Sequence, residues 1–203
     1  MRGRPPSIRE EDILDAARDV FREEGHATTT AKIAERAGVS EGILFYRYKS
    51  KEALLAAVIH RETQPPESLR ELVKTVGERS IAENLERIVD SVLEAVSRAH
   101  PFLELALTSP TSGEIHELIF TKVRKPPPQL IVELVASWFE AEIRAGRARA
   151  IDATAAARAL LGGCIDHVRS RRAARGDEDG RVFARGLVDV LLHGAAKAAP
   201  SRR

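Results

Sequence analysis

Apolar residues recur along the chain at the three- and four-residue spacing of amphipathic helices, while runs of alternating β-branched residues are absent. The first apolar stripe consists of Ile13, Leu14, Ala17, Val20 and Phe21. Gly25 follows it, in the position of a glycine that ends a helix. The pattern predicts an all-α fold of about nine helices and no sheet.

Three further helix starts follow within 25 residues of this first helix. Thr28–Thr30, Ser40 and Ser50 each supply a hydroxyl N-cap ahead of a helical pattern. The first of these helices is expected to run to about Arg36 and the second to about Tyr48. Short helices so closely spaced suit a compact DNA-binding unit better than a bundle of long helices.

The chain beyond residue 66 predicts longer amphipathic helices that are separated by proline and glycine. The predicted segments are a long helix ending near His100-Pro101, a shorter one from about Phe102, a loop at 108–113, a helix from the prolines at 126–128 to Ala145-Gly146, and helices at about 152–172 and 179–196. Because proline removes a main-chain donor and clashes with the preceding turn, Pro101 is expected to end the long helix.

Composition and charge exclude several classes of protein. The chain has 43% hydrophobic and 31% charged residues and a net charge of +2, and no apolar run approaches the ~20 residues of a membrane-spanning helix. The N-terminus lacks the apolar core of a secretory signal, and the single Cys164 cannot form an internal disulfide. We therefore expect a cytoplasmic protein with no membrane partner.

Three residues carry the spacing of a helix-turn-helix motif. The motif needs a small residue where two helices cross, a glycine in a left-handed turn and an apolar residue on the second helix. Ala34, Gly38 and Leu44 meet these needs, at offsets of four and then six. The second helix, from Glu41, would then be the recognition helix that enters the major groove. The other interpretation is a helical hairpin without DNA binding. It does not account for the basic cluster formed by Arg47, Lys49 and Lys51.

The run IAERAGVSEGILFYRYKSKEAL at 33–54, together with the first helix from Ile13 and with Gly25, closely resembles the tetracycline-repressor (TetR) family. The resemblance implies an N-terminal three-helix DNA-binding domain at residues 6–66, with its motif at about 29–48, and a larger effector-binding and dimerisation domain at 67–203. It also implies that the last two helices pair with their copies in a homodimer, which would bind a pseudo-palindromic operator.

By position, the resemblance also assigns DNA contacts. They fall on Thr29, Thr30, Glu41, Gly42, Phe45, Tyr46, Arg47 and Lys51. Two residues depart from the common pattern: Phe45 replaces a frequent tyrosine, and Ala31 a frequent arginine. Glu41 either accepts a hydrogen bond from cytosine N4 or points away from the phosphates. Both departures change the expected operator sequence rather than DNA binding itself.

The segment Arg2-Gly3-Arg4-Pro5 precedes this domain. One interpretation is a basic arm in which Arg2 and Arg4 enter a narrow A·T-rich minor groove, where the potential is most negative. The other is a solvated chain terminus.

Candidate chemistry in the larger domain is limited to aromatic, histidine and cysteine side chains. The candidates for an effector pocket are Phe102, His116, Phe120, Trp138, Phe139, Cys164 and His167. The four aromatic residues can equally be core residues, and apolar walls of this kind suit a small lipophilic molecule. A helical enzyme that uses Cys164 and the histidines is an alternative, but Cys164 lies on an apolar stripe with Leu160 and Val168. We therefore expect no enzyme, no metal and no cofactor.

The sequence as a whole predicts a DNA-binding transcriptional regulator. The expected mechanism is a repressor that leaves its operator when a small molecule binds the C-terminal domain. An architectural DNA-binding protein without an effector is the alternative.

Overall fold

The computed structural model describes residues 9–121, 126–174 and 179–194, and within these ranges the protein is helical without a strand. The helices are α1 Glu10–Glu24, α2 Thr30–Ala37, α3 Glu41–Tyr48, α4 Lys51–Glu62, α5 Glu67–Leu72, α6 Ile81–Leu107, α7 Ser112–His116, α8 Pro127–Arg144, α9 Ala153–Ala174 and α10 Gly180–His193. The predicted all-α fold is confirmed. None of these helices, over the described residues, has the length and apolar content needed to cross a bilayer.

The first four helices begin and end close to where local signals predict, but the predicted hydroxyl cap is absent at Ser40, whose side chain makes no capping hydrogen bond at the start of α3. Acidic residues occupy the first turn of α1, and Gly25 ends the helix with a φ of 57°. The Thr29 hydroxyl oxygen accepts from the main-chain nitrogen of Lys32 at the start of α2, and Ser50 caps α4 by accepting from Ala53 at 3.0 Å. A short 3₁₀ turn, Gly25–Ala27, links α1 to two residues with an extended backbone that precede α2.

The helices form two compact units. The first contains the described part of Met1–Thr63 and Arg98–Pro126, and the second contains that of Gln64–Ser97 and Pro127–Arg203. Helix α6 therefore contributes residues to both units. The predicted domain boundary at residue 66 stays a prediction. The first compact unit contains, besides the N-terminal helices, the last turns of α6 and the whole of α7.

The core of the first unit joins α1–α4 to the end of α6 and to α7. Its fully buried side chains include Ile13, Ile33, Leu54, Ile59, Phe102 and Ile115. The guanidinium of Arg22 lies 5.6 Å from the centroid of the Phe102 ring, so a cation covers this core at one side. A π-helical turn, Glu117–Thr121, continues α7 and adds Ile119 to the same core.

The core of the second unit is built from α5, the first part of α6, and α8–α10. Its buried side chains include Leu69, Leu85, Ile88, Val135, Trp138, Phe139, Leu160 and Cys164. Trp138 and Phe139 meet edge to face, with ring centroids 5.0 Å apart. Gly146, with a φ of 68°, lies just beyond the end of α8, as the sequence predicts.

The prediction for the end of the long helix is wrong, and two short helices were not predicted. Helix α6 does not end at Pro101 but continues to Leu107, because Phe102 and Ala106 are buried in the first unit and hold the last turns in place. A proline within a helix costs about 3 kcal/mol, which burial of a large aromatic side chain offsets. The sequence also gave no sign of α5 or α7, which are too short for a helical period to be detected.

Candidate nucleic-acid interface

The helix-turn-helix motif has the geometry that the spacing predicts. Ala34 is buried on α2, and Gly38 has a left-handed φ of 66° at its end. The main-chain nitrogen of Gly38 donates to Glu35 and that of Val39 to Ala34, at 3.1 and 2.9 Å. Leu44, with 2% of its surface exposed, packs the inner face of α3 against this turn. The opposite face of α3 therefore points to solvent.

The solvent face of α3 carries large side chains. Tyr46 is 80% exposed and Phe45 47% exposed, and Ile43 beside them is also exposed. Glu41, Gly42 and Arg47 are exposed as well. Aromatic side chains that remain exposed to water contribute little to the stability of the fold. Their grouping on one face of α3 therefore indicates a surface that binds a partner.

Two threonines at the start of α2 make different hydrogen bonds. The Thr29 oxygen caps α2, which leaves its hydroxyl proton available. The Thr30 hydroxyl donates to Oε1 of Glu41, the first residue of α3. The starts of the two motif helices are thus joined by a side-chain contact that sequence spacing does not reveal.

Lys51, at the start of α4, is half-buried and makes structural contacts. Its ammonium donates to the main-chain oxygens of His26 and Thr28, at 3.4 and 3.2 Å. An ammonium group has three donors, so a further proton remains for an anion. The lysine is thereby held beside the turn that precedes α2.

Lys49 is a residue of this surface that the sequence analysis counted only as part of a basic cluster. It ends α3 with a φ of 66°, the single positive φ outside glycine in the described chain. Its ammonium donates to the main-chain oxygen of Tyr46 at 2.7 Å and lies 5.1 Å from the centroid of the Tyr46 ring. Lys49 therefore folds back over the most exposed aromatic side chain of α3.

Tyr48 ties the recognition helix to α1. Its hydroxyl donates to Oε1 of Glu10 at 3.4 Å. Burial, followed by the negative charge of Glu10, raises the pKa of Tyr48 to about 12. The phenol stays neutral over the physiological range and keeps this contact.

Arg2 and Arg4, the predicted minor-groove arm, lie outside the described residues.

The predicted effector-pocket residues divide between the two units. The first unit contains buried Phe102, and also exposed His116, whose ring lies 4.8 Å from that of Phe120. The second contains Trp138, Phe139, Cys164 and His167, all buried. The His167 ring stacks on that of Phe183 at 4.1 Å. The structure thus brings the second group into one core, separate from the first.

Cys164 has the environment of a packed thiol. Burial, with a smaller effect of the Asp90 charge, raises the pKa of Cys164 to about 12. No cluster of three or more potential metal ligands occurs among the described histidine, cysteine and acidic residues.

Two clefts lie elsewhere. One, of about 480 Å³ in the first unit, is lined by residues that include Lys51, Leu55, Leu105 and Ile115. The other, of about 600 Å³ in the second unit, lies between α8 and α9 and includes Val132 and Arg158. None of the predicted pocket residues lines either cleft, so their assignment to a pocket stays a prediction.

Comparison with known proteins relates the region that contains this motif to transcriptional regulators. Residues 13–58 match the model for bacterial regulatory proteins of the tetR family. The HTH-type transcriptional regulator BetI of Escherichia coli O17:K52:H18 is 26% identical over 68% of this chain and 71% of its own length. RutR of Escherichia coli K12, also an HTH-type transcriptional regulator, is 46% identical over 30% of this chain and 29% of its own.

The similarity to solved structures extends over more of the chain. FadR from Bacillus subtilis, a transcriptional regulator solved in complex with stearoyl-CoA, superposes with a TM-score of 0.68 over 93% of this chain and 100% of that one, at 19% identity. A TetR-family regulator from Mesorhizobium loti superposes with a TM-score of 0.73 over 90% of this chain and 94% of that one, at 17% identity. At such identities the superpositions show a shared fold.

The matched relatives are transcriptional regulators and not enzymes, and the family match covers α1 to α4, including the whole helix-turn-helix. The alignments span between 29% and 71% of the curated relatives described above, so they identify the DNA-binding domain more closely than the rest. The DNA-binding region of this chain, residues 13–58, is that of the tetR family of bacterial regulatory proteins, and the chain is a DNA-binding transcriptional regulator.

Proposed function

We propose that this regulator is a homodimeric repressor that leaves its operator when a lipophilic small molecule binds the second unit. The observation that carries operator binding is the exposed face of α3. Tyr46 and Phe45 stand out from a helix whose other side is locked by Leu44. Tyr46, Phe45 and Gly42 contact the major groove, while Thr29, Arg47 and Lys51 contact phosphates. Phosphate contacts supply most of the affinity and base contacts the specificity.

Homodimer formation is supported by apolar side chains on α9 and α10. Val182 is 62% exposed and Val190 59% exposed, and Ile165 on α9 is exposed too. Large apolar side chains left exposed on two neighbouring helices are typical of a surface that is covered by a partner. A two-fold dimer presents two copies of α3, which fits an operator with two half-sites.

A lipophilic effector is supported by the interior of the second unit. Its core is apolar and aromatic around Trp138 and Phe139. The indole N–H of Trp138 and the amide oxygen of Asn84 are buried there without a hydrogen-bond partner among the described residues. A buried donor or acceptor left unpaired costs about 1–3 kcal/mol, which a ligand with matching polar groups would recover. FadR, which shares the fold, was solved with a ligand that carries a long acyl chain.

Release of DNA follows from the placement of α6, which contributes to both units. Its last turns share a core with α1 and α4 through Phe102 and Ala106. A ligand that favours a different position of α6 would also favour a different position of the motif helices. It can weaken operator binding only by the factor with which it prefers that conformer, and DNA must weaken ligand binding equally.

The test is fluorescence anisotropy with labelled DNA from the region flanking the protein's own gene, over a salt series and against scrambled competitor. We expect competitor-resistant binding that is lost in Tyr46→Ala. Lys51→Met should weaken binding to all sequences and lower the salt slope by about one. Binding that follows salt alone and ignores sequence would contradict the proposal.

Regulation by an effector is tested with stearoyl-CoA as the probe. The same measurements distinguish an effector-regulated repressor from an architectural DNA-binding protein. An effector-regulated repressor shows a ligand-dependent rise in Tm and a loss of operator binding. An architectural protein shows neither with this probe or with a wider set of lipophilic compounds. Glu78→Gln, an exposed change in the second unit, provides a folded control in both assays.

A further inference from the structure

The side-chain contact between Thr30 and Glu41 gives the DNA-facing surface an oriented carboxylate. Thr30 is the first residue of α2 and Glu41 the first of α3, and the Thr30 hydroxyl donates to Oε1 of Glu41. A carboxylate accepts hydrogen bonds and a hydroxyl donates its single proton, so the direction of this bond is defined. The contact removes rotational freedom from the Glu41 side chain.

The second carboxylate oxygen remains available. Glu41 is exposed, forms no ion pair with a described lysine or arginine, and its Oε2 accepts no hydrogen bond from the described residues. A negative charge on a surface that meets phosphates opposes DNA binding unless it gains a donor from the DNA. The carboxylate therefore needs a partner on the base edges rather than on the backbone.

The position of Glu41 gives it access to base edges. The N-terminal residues of a recognition helix contact the bases in the major groove. Gly42, the next residue, has no side chain, and a Cβ there would meet only Oγ of Ser40 at 3.8 Å. The start of α3 is thus open to close approach by DNA.

The chemistry of the groove selects one base. Major-groove hydrogen-bond donors are N4 of cytosine and N6 of adenine. Adenine places the acceptor N7 beside N6, which repels the second carboxylate oxygen, whereas cytosine has no acceptor beside N4. A carboxylate held in one orientation therefore prefers cytosine.

We propose that Glu41 reads a cytosine in each operator half-site and that Thr30 is the positioning residue that aims its carboxylate. This inference rests on the proposed operator binding and specifies one base of the half-site. It also gives the Thr30 hydroxyl a role other than the direct DNA contact that the resemblance assigns to Thr30.

The experiment is binding-site selection from randomised DNA with the full-length protein, followed by anisotropy on the selected site and its single-base variants. We expect one cytosine position per half-site, where replacement of the C·G pair weakens wild-type binding about tenfold. Glu41→Gln should move the preference at that position to adenine, because glutamine pairs with N6 and N7. Glu41→Ala should lose the preference and bind scrambled DNA at least as tightly as wild type.

The Thr30 variants separate positioning from folding. Thr30→Val keeps the shape and removes the hydroxyl, so discrimination at the cytosine position should fall while Tm and binding to scrambled DNA are kept. Thr30→Ser restores the hydroxyl and should restore discrimination. Glu78→Gln makes the same charge change as Glu41→Gln but in the second unit, so it should alter neither the base preference nor the binding to scrambled DNA.

The outcomes distinguish the inference from the proposed function. A selected site whose base preference is unchanged in Glu41→Gln overturns the cytosine contact and leaves operator binding intact. Equal discrimination by wild type and Thr30→Val overturns the positioning role. Absence of any selected sequence overturns both operator binding and this inference.

Discussion

Nε of Arg98 on α6 lies 3.3 Å from the main-chain oxygen of Glu62 and 3.4 Å from its carboxylate, at the end of α4. Glu62 is almost fully buried, and its carboxylate also accepts from Arg61 at 3.1 Å. The contact joins the helix that follows the DNA-binding motif to the part of α6 within the same unit. In the release mechanism that we propose, a change in α6 would reach the motif through contacts of this kind.

Replacing Arg98 by methionine should lower the stability of the first unit. The variant keeps the apolar stem but leaves Glu62 with Arg61 as its remaining cation, and the expected loss is about 1 kcal/mol because the Arg98 side chain is partly solvated. The measurement is the urea midpoint followed by circular dichroism. Arg87→Met, an exposed change on the same helix, serves as the control. Equal midpoints for the two variants would show that the contact adds nothing.

Alkaline pH should act on the contact between α1 and α3. The pKa of Tyr48 is raised to about 12 by burial and by Glu10, above the ordinary tyrosine value of 10.0 that holds in the unfolded chain. The stability from this shift is fully present below pH 10 and is lost as the pH rises toward 12, because the folded state binds the proton more tightly. Absorbance titration of Tyr46→Phe, which leaves Tyr48 as the one tyrosine, should give a pKa near 12.

In Tyr48→Phe, the decrease in unfolding free energy between pH 10 and 12 should be smaller than in wild type. The Phe variant lacks the titrating group but keeps the ring, so packing is retained. A decrease of the same size in both proteins would assign alkaline sensitivity to other residues.

Cys164 should be inert in the folded protein. Its thiol is fully buried, and its raised pKa leaves little thiolate at pH 8. Iodoacetamide followed by mass spectrometry should show slow alkylation of the native protein and rapid alkylation in denaturant. Rapid alkylation of the native chain would reopen the enzyme alternative that the sequence raised.

The motif was predictable because its signals are local. The Thr29 cap, the left-handed turn at Gly38 and the Ser50 cap each depend on a few neighbouring residues. Pro101 was misjudged for the opposite reason. Whether a proline ends a helix depends on what the following turns bury, and Phe102 is buried by residues far away in the sequence.

The finer features of the surface also depend on distant pairs. Thr30 and Glu41 are 11 residues apart, and no spacing rule predicts that their side chains meet. The left-handed conformation of Lys49 is uncommon for lysine, so the sequence gives no signal for it. The candidate pocket residues failed to form one group because Phe102 and Trp138 belong to different units, which composition and periodicity do not reveal.

Gly42 should show opposite effects on stability and on DNA binding. It is the second residue of α3, its φ lies outside the left-handed region, and an added Cβ would make only an ordinary contact with Ser40. Gly42→Ala should therefore raise the free energy of unfolding by about 0.5–1 kcal/mol, since alanine is the better helix former. If DNA approaches the start of α3 as closely as we propose, the same methyl group should weaken operator binding.

The chain offers a matched control in Gly113, the second residue of α7 in the same unit, where an added Cβ would meet nothing within 4 Å. Gly113→Ala should give a similar rise in the urea midpoint with operator affinity unchanged. The informative quantity is the difference between the two variants in anisotropy, because both share the gain in helix propensity. If Gly42→Ala binds the operator as tightly as Gly113→Ala, DNA does not approach α3 at Gly42, and the glycine there has no role in the interface.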